Sequence, residues 1–358
     1  MQRVVHEYRN KSRVFNMIEG LYSYLTDYDA FEDILWLDET FRPLCEIIGS
    51  QFFEFRQPSI RTMDLPRIPC PKCDTEEVTV CLSGGKDSVA CAYYFKKRGY
   101  KVHLYHAAGI NKAYGDEKKA ATAIAKYLGC DLFIEKFDLR GTHPFVEHPL
   151  KNYIIANGAL HYCLAKGYSP NLAFGNFNQS FLADNVFVVC GGDCIEMWNA
   201  YSTIIQKVLP EFTMQIPLRT NADTFDLLSE DWQLFKLAVS CMSPYRFRAH
   251  WKHRTEETYN VRLFDNRCGC CWKDCVECIW LMDTDKMEYD ETFYLHCFGI
   301  LAKTLRRETG IKEQDVNIIW SKYMFYPIEK SKALDRLSHI RLIYPSSNVH
   351  AMKFAEKV

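Results

Sequence analysis

Val78-Thr79-Val80-Cys81-Leu82-Ser83-Gly84-Gly85-Lys86-Asp87-Ser88 sets an apolar, β-branched run directly before a glycine pair, a lysine, an aspartate and two flanking serines. From Val89 the pattern turns helical. A strand that ends in a Gly-Gly bend and feeds a helix suits a phosphate cradle. The glycines adopt backbone angles denied to other residues, so successive N–H groups converge on one anion, and the helix behind them adds its positive end. Ser83 and Ser88 supply hydroxyls, Lys86 a charge, and Asp87 a carboxylate suited to holding Mg2+ or activating a group beside the phosphates. Two glycines alone would signal only a turn; six matching residues in this context predict a nucleotide loop. Lys86 follows the second glycine directly and no Gly-Lys-Ser/Thr ending is present, so this is not a Walker A loop and a hydrolytic motor is not implied.

Outward from the loop, strand and helix patterns alternate. Val102 to His106 reads as a strand, and Ala120, Ala123, Ile124, Tyr127 and Leu128 form an apolar stripe at helical spacing closed by Gly129. Leu132 to Ile134 reads as a third strand, Asn152 to Lys166 as a helix and Leu172 to Gly175 as a fourth strand. Such alternation predicts an α/β fold, a doubly wound parallel sheet with helices on both faces. Ligands on that architecture sit at the carboxyl ends of the strands, where the Ser83 loop and the Gly175 turn both fall.

The chain has 358 residues, long enough for a nucleotide domain with appendages, and a formal net charge of −1 with a pI near 6.8. That balance gives no general basic field, so bulk capture of nucleic acid is disfavoured, although a local patch can hide in the average. No apolar stretch long enough for a membrane span and no leader pattern is read, and a cytoplasmic location is expected. Pro66, Pro69 and Pro71 mark a boundary. The expected organisation is an N-terminal extension of unreadable role over 1–66, a nucleotide domain over 67–285 and a helical C-terminal extension over 286–358, with Phe293 to Arg306 as one helix.

Sixteen cysteines in a chain of this size point to reduced thiols, some holding metal, rather than to a disulfide scaffold. Cys268, Cys270, Cys271, Cys275 and Cys278 crowd into eleven residues, and Cys268-x2-Cys271 with Cys275-x2-Cys278 gives two chelating pairs. Zinc favours four thiolates in a tetrahedron, so these four are the expected ligands of a structural site. Iron–sulfur binding is a minor option. Cys241 and Cys270 are alternative members of the set, and Cys70-x2-Cys73 is a further pair that completes this site, builds another or stays thiol.

From Val78 to Cys278 the order of features resembles 7-cyano-7-deazaguanine synthase, within the pyrophosphate-loop ATP pyrophosphatase superfamily. Ser83 to Ser88 matches its nucleotide loop, with Lys86 where leucine is frequent. Pro149-Leu150-Lys151-Asn152 resembles its Pro-Gly-Arg-Asn, Asp193-Cys194 its Pro-Asp-Cys-Arg, Met214-Gln215-Ile216-Pro217-Leu218 its strand ending in Pro-Leu, and the cysteine cluster its zinc site. The departures are specific: Lys151 replaces a bidentate arginine, Leu150 a glycine and Gly192 a proline, and over twenty residues separate Cys241 from Cys268.

This resemblance implies a fold of the adenine nucleotide alpha hydrolase-like, HUP type, with ATP, Mg2+ and Zn2+ as cofactors. It implies a C–N ligase-type reaction yielding AMP and pyrophosphate: a carboxylate on a deazaguanine-like heterocycle is adenylated, then attacked by ammonia or another amine. ATP would lie against Ser83, Gly84, Gly85, Lys86, Asp87, Ser88 and Gly175, with Lys86 and Asp87 in catalysis, and substrate against Lys151, Asn152 and Asp193. Their ordinary explanations are a solvated lysine, a helix cap and a turn carboxylate. Glu117 has a comparable account at a helix start, and His103, His106, His143 and His148 are structural candidates before they are proton carriers. Two other readings stand beside this one. A pyrophosphate-loop enzyme modifying tRNA bases by thiolation would need a basic face, with Cys190 or Cys194 as candidate reactive cysteines, whereas a zinc-stabilised adaptor would merely sense ATP. The expected partners are a small carboxylate and an amine donor, with a nucleic acid, a protein or a second copy as alternatives.

Overall fold

The computed structural model describes residues 70, 73–109, 117–136, 151–175, 180–183, 186–189, 198, 202–203, 205–206, 209–218, 221–239, 241, 245–264, 266–309, 340–342 and 355–357. Its centre is a five-stranded, all-parallel sheet of β1 (Glu77–Cys81), β2 (Lys101–Ala108), β3 (Asp131–Lys136), β4 (Asn171–Phe174) and β7 (Thr213–Gln215). The strand order is β3-β2-β1-β4-β7. Every residue of β1 and β4 is buried, as expected for strands covered on both faces.

Alternation along β1 assigns those faces. Val78 and Val80 join Val89, Ala92 and Phe95 of α1 (Lys86–Lys97) and Ile124 of α2 (Glu117–Leu128) in one apolar cluster. Thr79 points the other way and accepts a 3.1 Å hydrogen bond from Cys163 on α3 (Lys151–Lys166). Tyr105, Phe133 and Tyr162 pack together on that second side. Each expected strand and helix of this unit is present within a residue or three of its anticipated ends. Gly129, at φ 61°, follows α2 as anticipated.

The order reverses between β1 and β4: β1 continues outward to β2 and β3, while β4 lies on its other side next to β7. In a doubly wound sheet this switch point opens a crevice beyond the carboxyl ends of the two central strands. Ser83 to Ser88 follows β1 there and Gly175 follows β4.

Beyond the sheet come a two-stranded antiparallel hairpin, β5 (Ser180–Ala183) with β6 (Val186–Val189), which the sequence pattern did not announce, and a second pair, β8 (Ile340–Leu342) with β9 (Ala355–Lys357). Helices α4 (Asn221–Ser229), α5 (Trp232–Leu237), α6 (Tyr245–Tyr259), α7 (Trp272–Asp283) and α8 (Glu291–Thr309) complete the described chain. Phe225, Phe235, Trp280, Phe298 and Leu301 from these helices belong to the same apolar cluster as Val78. Among the described residues no helix is long and apolar enough to cross a membrane.

Candidate functional site

The loop between β1 and α1 is held by its own hydroxyls. Ser88 Oγ donates to the Gly85 carbonyl (3.0 Å) and accepts from the Ser83 N–H (3.1 Å), with Ser83 Oγ at 3.0 Å. Gly85 in turn donates its N–H to Ser83 Oγ at 3.2 Å. Gly84 sits at φ 89°, the left-handed region that glycine alone enters without strain. A Cβ there would lie 3.0 Å from the Glu117 carbonyl oxygen at the start of α2, so two helix N-termini converge on this bend. Ser83 is exposed and Gly85 and Asp87 are partly so, leaving an open rim with an inward-facing lysine between them.

Lys86 is 3% exposed. Its Nζ lies 2.6 Å from Asp87 Oδ1 and 2.5 Å from Asn221 Oδ1 on α4, and 4.9 Å from the centre of the Phe225 ring. Burial lowers its pKa against the opposing pull of Asp87. The ammonium therefore reaches the rim through the Asp87 carboxylate. Asn221 was not a sequence candidate; an asparagine opening a helix reads as a cap until the fold brings it to Lys86. Gly175 meets the loop from β4: a Cβ on it would fall 2.3 Å from the Asp87 carbonyl.

Of the remaining sequence candidates, Asn152 is partly buried in the first turn of α3. Lys151 begins that helix, but its side chain lies outside the described set, as do Asp193, Cys190, Cys194, His143 and His148. His106, near the carboxyl end of β2, bonds through Nδ1 to the Leu82 carbonyl at 2.8 Å, and burial lowers its pKa. His103 is stacked on Tyr168 and bonded to buried Glu77 at the opposite end of the sheet, a structural role.

The cysteine cluster assembles differently from the expected set. Cys241, Cys268 and Cys271 come together with Asp274, their ligand atoms all within 4.8 Å of one another. Cys271 caps α7 and Asp274 follows in its first turn. Cys275 and Cys278 lie farther along that helix, where the rise carries Cys278 about 10 Å from Cys271, too far for one tetrahedral centre. Cys275 Sγ instead donates to the Gly269 carbonyl at 3.6 Å, and both thiols are buried beside Cys297 of α8. Cys270 turns to Thr255 Oγ1 at 3.2 Å, and Cys70 and Cys73 face each other at 3.2 Å ahead of β1.

Asp274 is fully buried; its Oδ2 accepts the Cys268 N–H at 2.7 Å while Oδ1 has no hydrogen-bond partner. Burial, reinforced by Cys241, pushes its carboxyl up to about 7, and burial raises the Cys271 thiol well above its ordinary value. Three thiols and a carboxylate with an orphan oxygen are a donor set that a divalent cation of the zinc type satisfies. Asp274 was legible in principle, since Cys268-x2-Cys271-x2-Asp274 continues one spacing.

Against known proteins, residues 77–150 match the family model described as queuosine biosynthesis protein QueC. That span covers β1, the loop and the sheet as far as β3, and over those residues the chain is similar to this pyrophosphate-loop family. The similarity points to an ATP-utilising enzyme of that superfamily. Among solved structures, a predicted subunit of tRNA methyltransferase from Methanocaldococcus jannaschii aligns over 43% of this chain and 74% of its own, at 23% identity and a TM-score of 0.28. An overlap that loose carries no argument. No curated protein matches the chain.

Proposed function

We propose that this protein adenylates a substrate carboxylate, cleaving ATP between its α and β phosphates, and passes the activated acyl group to ammonia or another amine. A deazaguanine-like heterocycle is the proposed carboxylate. The observation that carries the reading is the bend at Ser83–Ser88, where a left-handed glycine and internally bonded serines leave main-chain N–H groups at a helix start, with Gly175 packed against it at the sheet's switch point. In this reading Ser83, Gly84, Gly85 and Ser88 bind the departing pyrophosphate. Asp87 would hold Mg2+, which when bound would supply charge neutralisation on the phosphates. Lys86 offsets negative charge through its contact with Asp87, and Lys151, Asn152 and Asp193 face the substrate. Stabilisation of charge growing on the leaving group, not a protein nucleophile, supplies the rate. Cys241, Cys268, Cys271 and Asp274 are proposed to hold a structural Zn2+.

The test is product analysis with labelled ATP and a panel of heterocyclic carboxylates plus ammonia. AMP and pyrophosphate support the reading; ADP and phosphate contradict it. ATP binding without turnover across the panel would leave an ATP-sensing adaptor instead.

One observation favours base modification of a nucleic acid as a second reading. The outer face of α6 exposes His250, His253 and Arg254 beside Phe247, which is 43% exposed, and the Arg254 guanidinium lies 5.7 Å from the Trp251 ring. An arginine and two histidines interleaved with aromatics suit phosphates and stacked bases, with acidic Glu257 3.3 Å from His253 on that face. Tight, steeply salt-dependent RNA binding supports that acceptor; no binding at low salt removes it.

A further inference from the structure

Ala238, Val239 and Cys241 touch both halves of the site. Val239 donates its backbone N–H to the Gly84 carbonyl at 2.8 Å, and Cys241 is one of the clustered thiols. The Ala238 carbonyl accepts from Arg267 Nη1 at 2.6 Å, and Arg267 Nε donates to Glu277 Oε1 on α7, also at 2.6 Å. Arg267 is 1% exposed, Glu277 fully buried, and Arg267 immediately precedes Cys268. Asn266 adds a parallel tie, its Nδ2 donating to the Lys236 carbonyl at 3.1 Å. One rigid guanidinium thus spans the helix that carries Asp274 and the main chain that holds the nucleotide loop.

A buried ion pair is a poor stability device, since apolar residues of similar volume often do as well. What distinguishes this one is where its second arm points. We infer that Arg267 is a positioning residue for nucleotide binding: by fixing the Ala238 carbonyl it sets the Val239 N–H that holds Gly84, and so transmits the placement of the thiol–carboxylate cluster to the loop's anion-binding amides. The inference rests on the reading that the loop binds ATP. Lysine is no substitute, because a point ammonium lacks the planar fork that serves Glu277 and Ala238 together.

The experiment compares the full chain with Arg267→Lys and with the double variant Arg267→Met/Glu277→Leu, which removes both buried charges and so avoids an unpaired carboxylate. Binding of MgATP's α,β-methylene analogue and of inorganic pyrophosphate is measured well below the melting temperature. Metal content and hydrogen exchange of the loop amides over 83–88 are followed in parallel. The expected result is unchanged metal content, affinity weaker by at least tenfold and faster loop exchange in both variants. A merely structural role would lower the melting temperature and leave the affinity of the folded protein alone. Folded, metal-loaded variants that bind within twofold of the parent overturn the role of Arg267. A parent protein that binds neither probe overturns the ATP reading, and this inference with it.

Discussion

Gly175 lies so close to Asp87 that a Cβ placed on it would fall 2.3 Å from the Asp87 carbonyl carbon and equally near its oxygen. Neither contact is with a flexible side chain, so the end of β4 and the start of α1 approach each other only because this position has no side chain. Gly175→Ala should therefore push the loop out of register. We expect a loss of about 3 kcal/mol in stability, the top of the overpacking range, together with loss of ATP binding. Chemical denaturation and nucleotide titration of the variant check both.

Ser88 is predicted to matter more for the loop's shape than for the fold. Its hydroxyl joins the Gly85 carbonyl, the Ser83 N–H and the Ser83 hydroxyl. Ser88→Ala should cost about 1–2 kcal/mol in stability while weakening pyrophosphate binding strongly. Asp87→Ala and Ser83→Ala should abolish turnover with circular dichroism unchanged. Calorimetric titration with pyrophosphate separates the two effects.

Asp274 gives a test of the metal site that depends on donor chemistry. Replacement by alanine removes one of four donors, and metal affinity should fall by more than the ~10–100-fold that loss of an outer-shell partner costs. Asp274→Cys restores a fourth soft ligand and should retain zinc. Cys275→Ser and Cys278→Ser should leave metal content unchanged. Elemental analysis of the purified variants reads the outcome; zinc lost from the Cys275 variant but kept in Asp274→Ala would restore the set expected from spacing.

His296 supplies a pH dependence. Tyr259 donates its hydroxyl to Nδ1 at 2.9 Å and Nε2–H donates to the Gly269 carbonyl at 3.1 Å, so both nitrogens are used in the neutral form. Burial lowers its pKa from 6.5 to about 4. A depressed folded-state value means that the unfolded chain binds the proton first. The contribution is present in full above pH 6.5 and is lost as pH falls toward about 4, up to about 3 kcal/mol in total. Denaturation of the parent and His296→Gln across that window should show the parent losing this increment and the variant showing a shallower slope.

The sheet and the loop were legible because they depend on short-range signals. Val78 to Leu82 and Leu172 to Gly175 are apolar runs bounded by glycine, and the stripe from Ala120 to Leu128 has helical period. What failed to show depends on residues distant in sequence. Asn221 meets Lys86 across 135 positions, and Cys241 meets Cys268 across 27. The Cys-x2-Cys spacing of Cys268 and Cys271 fits the closeness of their thiols, whereas it treated Cys275 and Cys278 as if in a turn. They lie within a helix, where the turn per residue swings Cys275 off the face that carries Asp274 and the rise carries Cys278 away from Cys271.

The claim on which everything else depends is that the Ser83–Ser88 bend receives the β and γ phosphates of ATP on its main-chain amides. A crystal structure with the MgATP analogue bound tests it directly. The account predicts phosphate oxygens within hydrogen-bonding distance of the loop N–H groups and the Ser83 and Ser88 hydroxyls. A nucleotide bound elsewhere, with the Ser83 and Gly85 N–H groups still bonded to the serine hydroxyls, would contradict it.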